Sequence, residues 1–137
     1  MKKKLSIVLI EDDIDDVEIL QEALENENVS YSISILKDGG AAEQFCETAK
    51  TLPDIIVMDF NLPRVHGRDV IKMIRANKRF DNIPILILST SSSKEDIDFA
   101  YNAGADRYQV KPATVDGIKE TISTIFELCN ARVEPSK

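Results

Sequence analysis

The chain has 137 residues, 43% of them hydrophobic, which is enough apolar material for one continuous core and indicates a single domain. Its 17 Lys and Arg residues against 24 Asp and Glu residues give a net charge of −7, which disfavours direct binding to nucleic acid or to an anionic membrane surface. No apolar stretch is long enough to span a membrane, and the apolar run after the basic start is too short for a signal peptide.

Five segments have the pattern of β-strands. Residues 7–10, 55–58 and 85–88 are unbroken apolar runs, which predict strands buried on both faces inside a parallel sheet. Residues 31–35 and 107–110 instead alternate apolar with polar side chains, which indicates that one of their faces is less covered. We therefore expect these two strands to be the edges of the sheet.

Amphipathic helical stretches lie between the predicted strands. The first apolar stripe comprises Ile14, Val17, Leu20 and Leu24, and the last comprises Val115, Ile118, Ile122, Ile125 and Cys129. Ser92 and Glu95 have the spacing of a capping box at the start of the fourth helix, and Gly104 stands where a left-handed cap would end it. Helix and strand therefore alternate along the whole chain.

This alternation predicts an α/β fold. Five parallel strands, five helices and right-handed crossovers give a flavodoxin-like doubly wound sheet with strand order 2-1-3-4-5. We expect one domain over residues 1–137, with a core at about residues 5–129 and a short C-terminal tail at residues 130–137. In such sheets, ligands bind beyond the carboxyl ends of the strands, where the strand order reverses.

Polar side chains follow the predicted strands at this edge. They are Glu11, Asp12 and Asp13 after the first strand, Asp59 after the third, Ser89 after the fourth and Lys111 after the fifth. The acidic run taken alone could simply cap the first helix. With Asp59 beside it, however, several carboxylates around one crevice imply a cation that offsets their repulsion, and an oxygen-only ligand set indicates Mg²⁺.

Each remaining residue has a structural and a chemical interpretation. Asp59 is either a buried structural acid or a carboxylate placed beside a metal to attack phosphorus. Lys111, which precedes Pro112, is either a solvated lysine or a partner of Asp59 and its phosphate. The hydroxyl of Ser89 either satisfies nearby backbone or donates to a phosphoryl oxygen on Asp59. The chemical interpretation depends on the whole set.

These positions resemble the receiver domains of bacterial response regulators, over about residues 5–129. The motifs that carry the resemblance are VLIEDD, MDFNLPRVHG, LST and YQVKP. Residues 61–64, 67–69, 78–82 and 89–92 are most similar to the subgroup that contains bacteriophytochrome response regulators. The resemblance implies that Asp59 is the phosphorylation site.

The resemblance also implies a Mg²⁺ site. Asp12 and Asp59 would be direct ligands, Glu11 would act through water, and Asn61 would contribute its backbone carbonyl. It further implies that Ser89 is the switch hydroxyl and Lys111 the lysine that contacts the phosphoryl group.

Two further features follow from the resemblance. Tyr108 would be the aromatic residue whose rotamer follows phosphorylation, and the peptide from Lys111 to Pro112 is cis in many such domains. His66, the only histidine, is interpreted as an exposed loop residue without a phosphotransfer role.

The implied function is that of a single-domain response regulator in a two-component phosphorelay. Its chemistry would be limited to its own phosphorylation and dephosphorylation, so it is not expected to be an enzyme that turns over external substrates. The expected phosphoryl source is a sensor histidine kinase, with a bacteriophytochrome among the candidates, or a phosphotransfer protein.

The output would leave through the face formed by the fourth helix, the fifth strand and the fifth helix. That face would bind a downstream protein or a second copy of the chain. Phe126 and Leu128 either add apolar area to this face or widen the core stripe of the fifth helix. Cys46 and Cys129 show no metal-type spacing and are expected to be thiols in a reducing cytoplasm.

Three alternatives belong to other classes. A phosphatase of the haloacid-dehalogenase type would need a second carboxylate at position 61, where this chain has Asn61. A flavodoxin-like nucleotide binder would need a phosphate-binding loop where the chain carries Glu11-Asp12-Asp13. An interaction module without phosphorylation would not need the full set of acid, hydroxyl and lysine positions.

Overall fold

The computed structural model describes residues 4–27, 29–62 and 66–132. The strands are β1 (Leu5–Ile10), β2 (Tyr31–Leu36), β3 (Ile55–Met58), β4 (Ile85–Ser89) and β5 (Arg107–Val110). The helices are α1 (Ile14–Asn26), α2 (Gly39–Thr48), α3 (Gly67–Ala76), α4 (Lys94–Ala103) and α5 (Val115–Arg132), and a short 3-10 helix (Lys78–Phe80) follows α3. Helix α5 continues past the predicted end of the core, and residues 133–137 of the predicted tail lie outside the described residues.

The five strands form one parallel sheet in the order β2-β1-β3-β4-β5, which confirms the predicted topology and both predicted edge strands. The pairing register places Met58 beside Ile10 on one side and beside Ile87 on the other. Ser89 at the end of β4 pairs with Val110 at the end of β5. The residues that follow these positions therefore emerge at one edge of the sheet.

The core has two layers because helices cover both faces of the sheet. One layer packs Val8 and Ile10 against buried side chains of α2, α3 and α4. The other packs Ile7 and Leu9 against buried side chains of α1 and α5. Burial on both sides explains why the central strands are unbroken apolar runs, since each side chain removed from water contributes to stability in proportion to its apolar area.

The first residue of each predicted helical stripe does not join the core. Ile14 is 58% exposed and Val115 is 69% exposed, whereas Val17, Leu20 and Leu24 are buried. Helices α1 and α5 begin at the carboxyl ends of the strands, where little of the sheet lies beneath their first turns. The apolar stripe of each helix therefore begins one position before the helix reaches the sheet, and that first apolar side chain stays exposed to solvent.

The caps of α4 correct one prediction and confirm another. Ser93, not Ser92, is the N-cap, and its hydroxyl oxygen accepts a hydrogen bond from the N–H of Asp96 at 3.1 Å. Several consecutive serines precede the helix, so composition could not decide which of them caps it. Gly104 ends the helix in the left-handed region, at φ 116°, as predicted.

Two further expectations can be checked on the described residues. Cys46 and Cys129 are buried thiols, and burial raises the pKa of the Cys46 thiol to about 11. Within the described ranges, none of the helices combines the length and apolar character needed to cross a membrane.

Candidate functional site

Strand pairing brings the predicted acidic residues together. The N–H of Asp59 donates to the carbonyl of Ile10 at 3.1 Å, so the hydrogen bonding between β1 and β3 extends to the first residue beyond β3. One carboxylate oxygen from each of Glu11, Asp12 and Asp59 lies within 4.8 Å of the other two. Glu11 and Asp59 are buried and Asp12 is exposed, so the group forms a pocket with one open side.

Lys111 enters this pocket from the end of β5. Its backbone N–H donates to the carbonyl of Ser89 at 2.8 Å, which fixes the start of the side chain. Its Nζ lies 3.0 Å from Glu11 Oε1, 3.1 Å from Asp59 Oδ2 and 2.7 Å from Asp16 Oδ2. An ammonium group has three N–H donors, so each of them can meet a different carboxylate.

The charges in the pocket do not balance. Burial, reinforced by the neighbouring charge of Asp59, raises the pKa of Glu11 to about 7, although hydrogen bonds from Lys111 and from the N–H of Asp13 oppose the rise. Burial lowers the pKa of Lys111, but hydrogen bonds to Asp16, Glu11 and Asp59 outweigh it and hold the pKa above its usual range. One ammonium thus faces several carboxylates, and the pocket favours a further cation.

The donor set fits Mg²⁺. The three converging groups are all carboxylates, and hard divalent cations prefer oxygen ligands of this kind. Asp59 Oδ1 accepts a hydrogen bond from the N–H of Asn61 at 3.1 Å, while Asp59 Oδ2 faces Lys111. Asn61 is exposed beside the pocket, and its side-chain amide donates to Thr90 Oγ1 at 3.3 Å across the opening.

Ser89 and Tyr108 meet at the loop between β4 and α4. Ser89 is fully buried, and its hydroxyl oxygen accepts a hydrogen bond from the N–H of Ser91 at 3.1 Å. The hydroxyl of Tyr108 donates to the carbonyl of Ser91 at 2.7 Å, and its ring packs edge-on against Phe60, with centroids 6.0 Å apart. Ser91 therefore joins the two predicted switch residues.

The same loop is tied to α3. The hydroxyl of Ser91 donates to Asp96 Oδ2 at 2.6 Å, and the other carboxylate oxygen of Asp96 pairs with Arg68 at 2.5 Å. These hydrogen bonds, that of Ser91 first and that of Arg68 second, lower the pKa of Asp96. The guanidinium of Arg68 also lies 4.5 Å above the ring of Phe99, a favourable cation–π contact.

The backbone of Gly67 lies directly against the backbone of Phe60, the residue that follows Asp59. The N–H of Gly67 donates to the carbonyl of Phe60 at 2.9 Å, and a Cβ at position 67 would lie 2.5 Å from the Cα of Phe60. Only glycine fits this approach. His66 is exposed, as predicted, and caps α3 by accepting a hydrogen bond from the N–H of Arg68 at Nδ1. Residues 63–65 of the predicted phosphoacceptor motif lie outside the described residues.

Two features of the site differ from the sequence-based expectations. The peptide from Lys111 to Pro112 is trans, not cis as in many receivers. Asp16 was not among the predicted site residues, yet it makes the shortest of the contacts to Lys111. Asp16 lies in the first turn of α1, three residues after the N-cap Asp13, and the sequence carried no signal that distinguishes it from the other acidic residues of this helix.

Comparisons with known proteins find relatives that match most of the chain. Probable methanogenesis regulatory protein FilR2 of Methanothrix harundinacea is 30% identical over 125 residues, which cover 88% of this chain and 81% of FilR2. Response regulator Rcp1 of Synechocystis sp. is 29% identical over 124 residues, which cover 87% of this chain and 84% of Rcp1. Rcp1 has been solved in an Mn²⁺-bound form, with TM-score 0.79, 26% identity and 97% coverage of both chains.

The structural likeness extends to a phytochrome response regulator. The crystal structure of the phosphorylated cyanobacterial phytochrome response regulator RcpA has TM-score 0.86 and 28% identity, and the match covers 98% of this chain and all of that one. The family description "Response regulator receiver domain" matches residues 7–123. The predicted family is thereby confirmed: this chain belongs to the response regulator receiver domains.

Proposed function

We propose that the chain is a Mg²⁺-dependent phosphoacceptor in which Asp59 takes the phosphoryl group. One observation carries the proposal: Asp59 is buried within 4.8 Å of the carboxylates of Glu11 and Asp12, while Lys111 Nζ lies 3.1 Å from its Oδ2. Phosphorylation and Mg²⁺ binding are characteristic of the receiver family. The phosphoryl donor is a phosphohistidine on a partner protein or a small acyl phosphate.

The proposed step is a displacement at phosphorus. A carboxylate oxygen of Asp59 forms a bond to phosphorus as the donor's P–N bond, or the P–O bond of an acyl phosphate, breaks. The leaving group keeps the electron pair, and a departing imidazole takes up a proton from solvent. The ammonium of Lys111 and the hydroxyl of Ser89 then contact phosphoryl oxygens, and attack by water on phosphorus later restores the carboxylate.

The metal would be held by residues already in place. Asp12 and Asp59 contribute carboxylate oxygens, Asn61 contributes its backbone carbonyl, and Glu11 acts through a water molecule. When bound, Mg²⁺ supplies positive charge that offsets the charge developing on the phosphoryl oxygens. Lys111 alone provides one positive charge, which is too little for a pocket with several carboxylates.

Labelling tests both parts of this proposal. Acetyl phosphate with Mg²⁺ is expected to add one phosphoryl group, measured by intact-protein mass spectrometry, and Asp59→Asn is expected to abolish the addition. Asp12→Asn is expected to lose most of the labelling. Asp13→Asn is the matched control, because Asp13 is exposed and caps α1 with a side-chain oxygen that asparagine retains. Undiminished labelling of Asp59→Asn would show that another residue accepts the phosphoryl group.

We further propose that phosphorylation changes the face of α4, β5 and α5. The supporting contacts run from Ser89 through Ser91 to Tyr108 on β5. A phosphoryl group that attracts the Ser89 hydroxyl alters the first contact and shifts the population between two arrangements of the loop. Exposed apolar area on this face is provided by Tyr101 and Val110, which are 44% and 46% exposed. Phe126 and Leu128 instead pack partly buried against the core, which favours the core interpretation of these residues.

A hydroxyl deletion tests this output. Beryllofluoride, an anionic phosphate mimic, is expected to change sedimentation or hydrogen exchange on this face in the wild type, and less so in Tyr108→Phe. Tyr31→Phe is the matched control, because its hydroxyl bonds near Glu25 at the other edge of the sheet. If the mimic occupies Asp59 and alters neither quantity, the proposed output face is wrong.

We also propose that the phosphoryl source is a histidine kinase of the bacteriophytochrome kind, acting in the cytoplasm. The support is the similarity to Rcp1 and RcpA, the second of which is a phytochrome response regulator. Phosphotransfer from a panel of purified kinases would identify the partner, since the cognate kinase is expected to transfer fastest. A panel in which phytochrome kinases are no faster than the others would contradict this part of the proposal.

A further inference from the structure

Asp16 is the one partner of Lys111 that does not come from a strand end. It lies on α1, and its Oδ2 is 2.7 Å from Lys111 Nζ, whereas the contacts of Lys111 to Glu11 and Asp59 are 3.0 Å and 3.1 Å. The side chain of Asp16 is 35% exposed and that of Lys111 is 16% exposed. The contact is therefore partly shielded from water, and its electrostatic effect is larger than that of a fully exposed pair.

The position of Asp16 separates it from the proposed metal ligands. The converging group of carboxylates comprises Glu11, Asp12 and Asp59, and Asp16 is not part of it. The carboxylate of Asp16 faces the ammonium instead. The three N–H donors of Lys111 each meet a carboxylate, and one of them is hydrogen-bonded to Asp16. That donor is not available to an anion on Asp59, and the negative charge of Asp16 also weakens the attraction between the ammonium and such an anion.

We propose that Asp16 is a positioning residue that holds Lys111 from α1 and sets how strongly the site binds an anion at Asp59. The inference rests on the proposed function, since it concerns the same phosphoryl position. Removing the charge of Asp16 leaves the ammonium more available to an anion and makes the pocket less negative toward a cation. The two affinities are therefore expected to change in opposite directions.

The test compares two neighbouring aspartates. Asp16→Asn removes the charge at the contact, and Asp15→Asn removes the same charge from an exposed position on the same turn of α1. Mg²⁺ affinity is measured by calorimetry, and beryllofluoride affinity is measured at saturating Mg²⁺, both with the full chain. For Asp16→Asn we expect Mg²⁺ binding to weaken and beryllofluoride binding to tighten, each by about threefold or more. A unit charge a few ångströms from the bound ion changes an affinity by about this factor in a largely aqueous setting.

Two additional variants test whether the charge of Asp16 causes these shifts. Asp16→Ser is expected to reproduce the opposite shifts without the amide group, and Asp16→Glu to keep both affinities close to those of the wild type. A purely structural role for Asp16 would change the unfolding temperature without producing opposite shifts. Equal behaviour of Asp16→Asn and Asp15→Asn, or a change of both affinities in the same direction, would overturn the inference.

The wild type separates this inference from the proposed function. If beryllofluoride binds the wild type and Asp59→Asn equally, or binds neither, the proposed phosphoryl site fails and the role of Asp16 fails with it. If the wild type binds the mimic through Asp59 and only the opposite shifts are missing, the role of Asp16 alone is rejected.

Discussion

Carboxylates lie at both ends of the strands, and those at the amino ends are satisfied by the fold itself. Asp54, directly before β3, accepts a hydrogen bond from the N–H of Ser6 at 2.8 Å. Asp106, directly before β5, accepts from the N–H of Ile85 at 2.9 Å and from Arg75 at 3.1 Å. Each carboxylate meets donors that the start of a neighbouring strand leaves unpaired, so these acids complete the sheet.

The carboxyl ends offer a different environment. There, the strands end in carbonyl groups, which cannot donate to a carboxylate, and the backbone donors come from the residues that follow: Asp13 donates to Glu11, and Asn61 donates to Asp59. Glu11 and Asp59 therefore share the ammonium of Lys111, and burial raises the pKa of Glu11 to about 7. The same residue type is structural at one end of the sheet and electrostatically unbalanced at the other, and the imbalance indicates a site for a cation.

The largest expected effect comes from removing the ammonium. Lys111→Met leaves the buried carboxylates without their cation, so at pH 8 in a chelator we expect the free energy of unfolding to fall by about 3 kcal/mol. Added Mg²⁺ is expected to recover part of this loss in urea denaturation. Lys119→Met, at an exposed position on α5, is the control and is expected to change stability by less than about 0.5 kcal/mol. An equal loss with and without Mg²⁺ would mean that Lys111 acts by packing.

A smaller loss of stability is expected from a substitution at the amino ends of the strands. Asp106→Ala leaves the N–H of fully buried Ile85 without its acceptor, which costs about 2 kcal/mol of unfolding free energy. Labelling by acetyl phosphate is expected to stay at the wild-type rate, since Asp106 lies away from the pocket. Asp81→Ala, which removes an exposed aspartate shortly before Ile85 in the sequence, serves as the control. A variant that keeps its stability but loses labelling would contradict the division between the two ends.

The smallest effect concerns a paired carboxylate on the pocket side. Hydrogen bonds from Ser91 and Arg68 lower the pKa of Asp96 in the folded protein. The contribution of Asp96 to folding stability is therefore fully present above the pKa that Asp96 has in the unfolded chain, and it is lost as pH falls through the lower pKa of the folded protein. The difference in unfolding free energy between the wild type and Asp96→Asn is thus expected to be constant near neutral pH and to shrink below about pH 4, with a size under about 1 kcal/mol.

Ser91→Ala provides the check on that interpretation. It removes the hydrogen bond that contributes most to the lowered pKa of Asp96, so the pH dependence of the difference is expected to weaken in this background. A difference that stays constant across the acid range would show that Asp96 contributes by geometry and not by charge.

Sequence patterns predicted the features that depend on long-range order. Unbroken apolar runs at residues 55–58 and 85–88 identified the central strands, because a strand covered on both faces has no polar side chain. Once the strand order followed, the position of Asp59 beside Glu11 followed as well, since the carboxyl ends of adjacent parallel strands coincide. The predicted strand order was therefore sufficient to predict which acidic residues lie together in the pocket.

Local features were less predictable because several neighbours satisfied the same pattern. Consecutive serines could each cap α4, and the geometry of the loop selects Ser93. Ile14 and Val115 continue helical stripes but stand beyond the sheet, so periodicity overstated their burial. Asp16 is one of many acidic residues on α1, and only the path of the Lys111 side chain distinguishes it from its neighbours.

The close approach at Gly67 has a consequence for the mutational tolerance of the chain. Any side chain at this position would collide with the backbone of Phe60, the residue that follows Asp59. In a complete substitution survey, Gly67 is thus expected to be as intolerant as Asp59, although it supplies no charge and no ligand. The two kinds of intolerance can be separated, because Gly67→Ala would lose folding stability together with labelling, whereas Asp59→Asn would lose labelling alone.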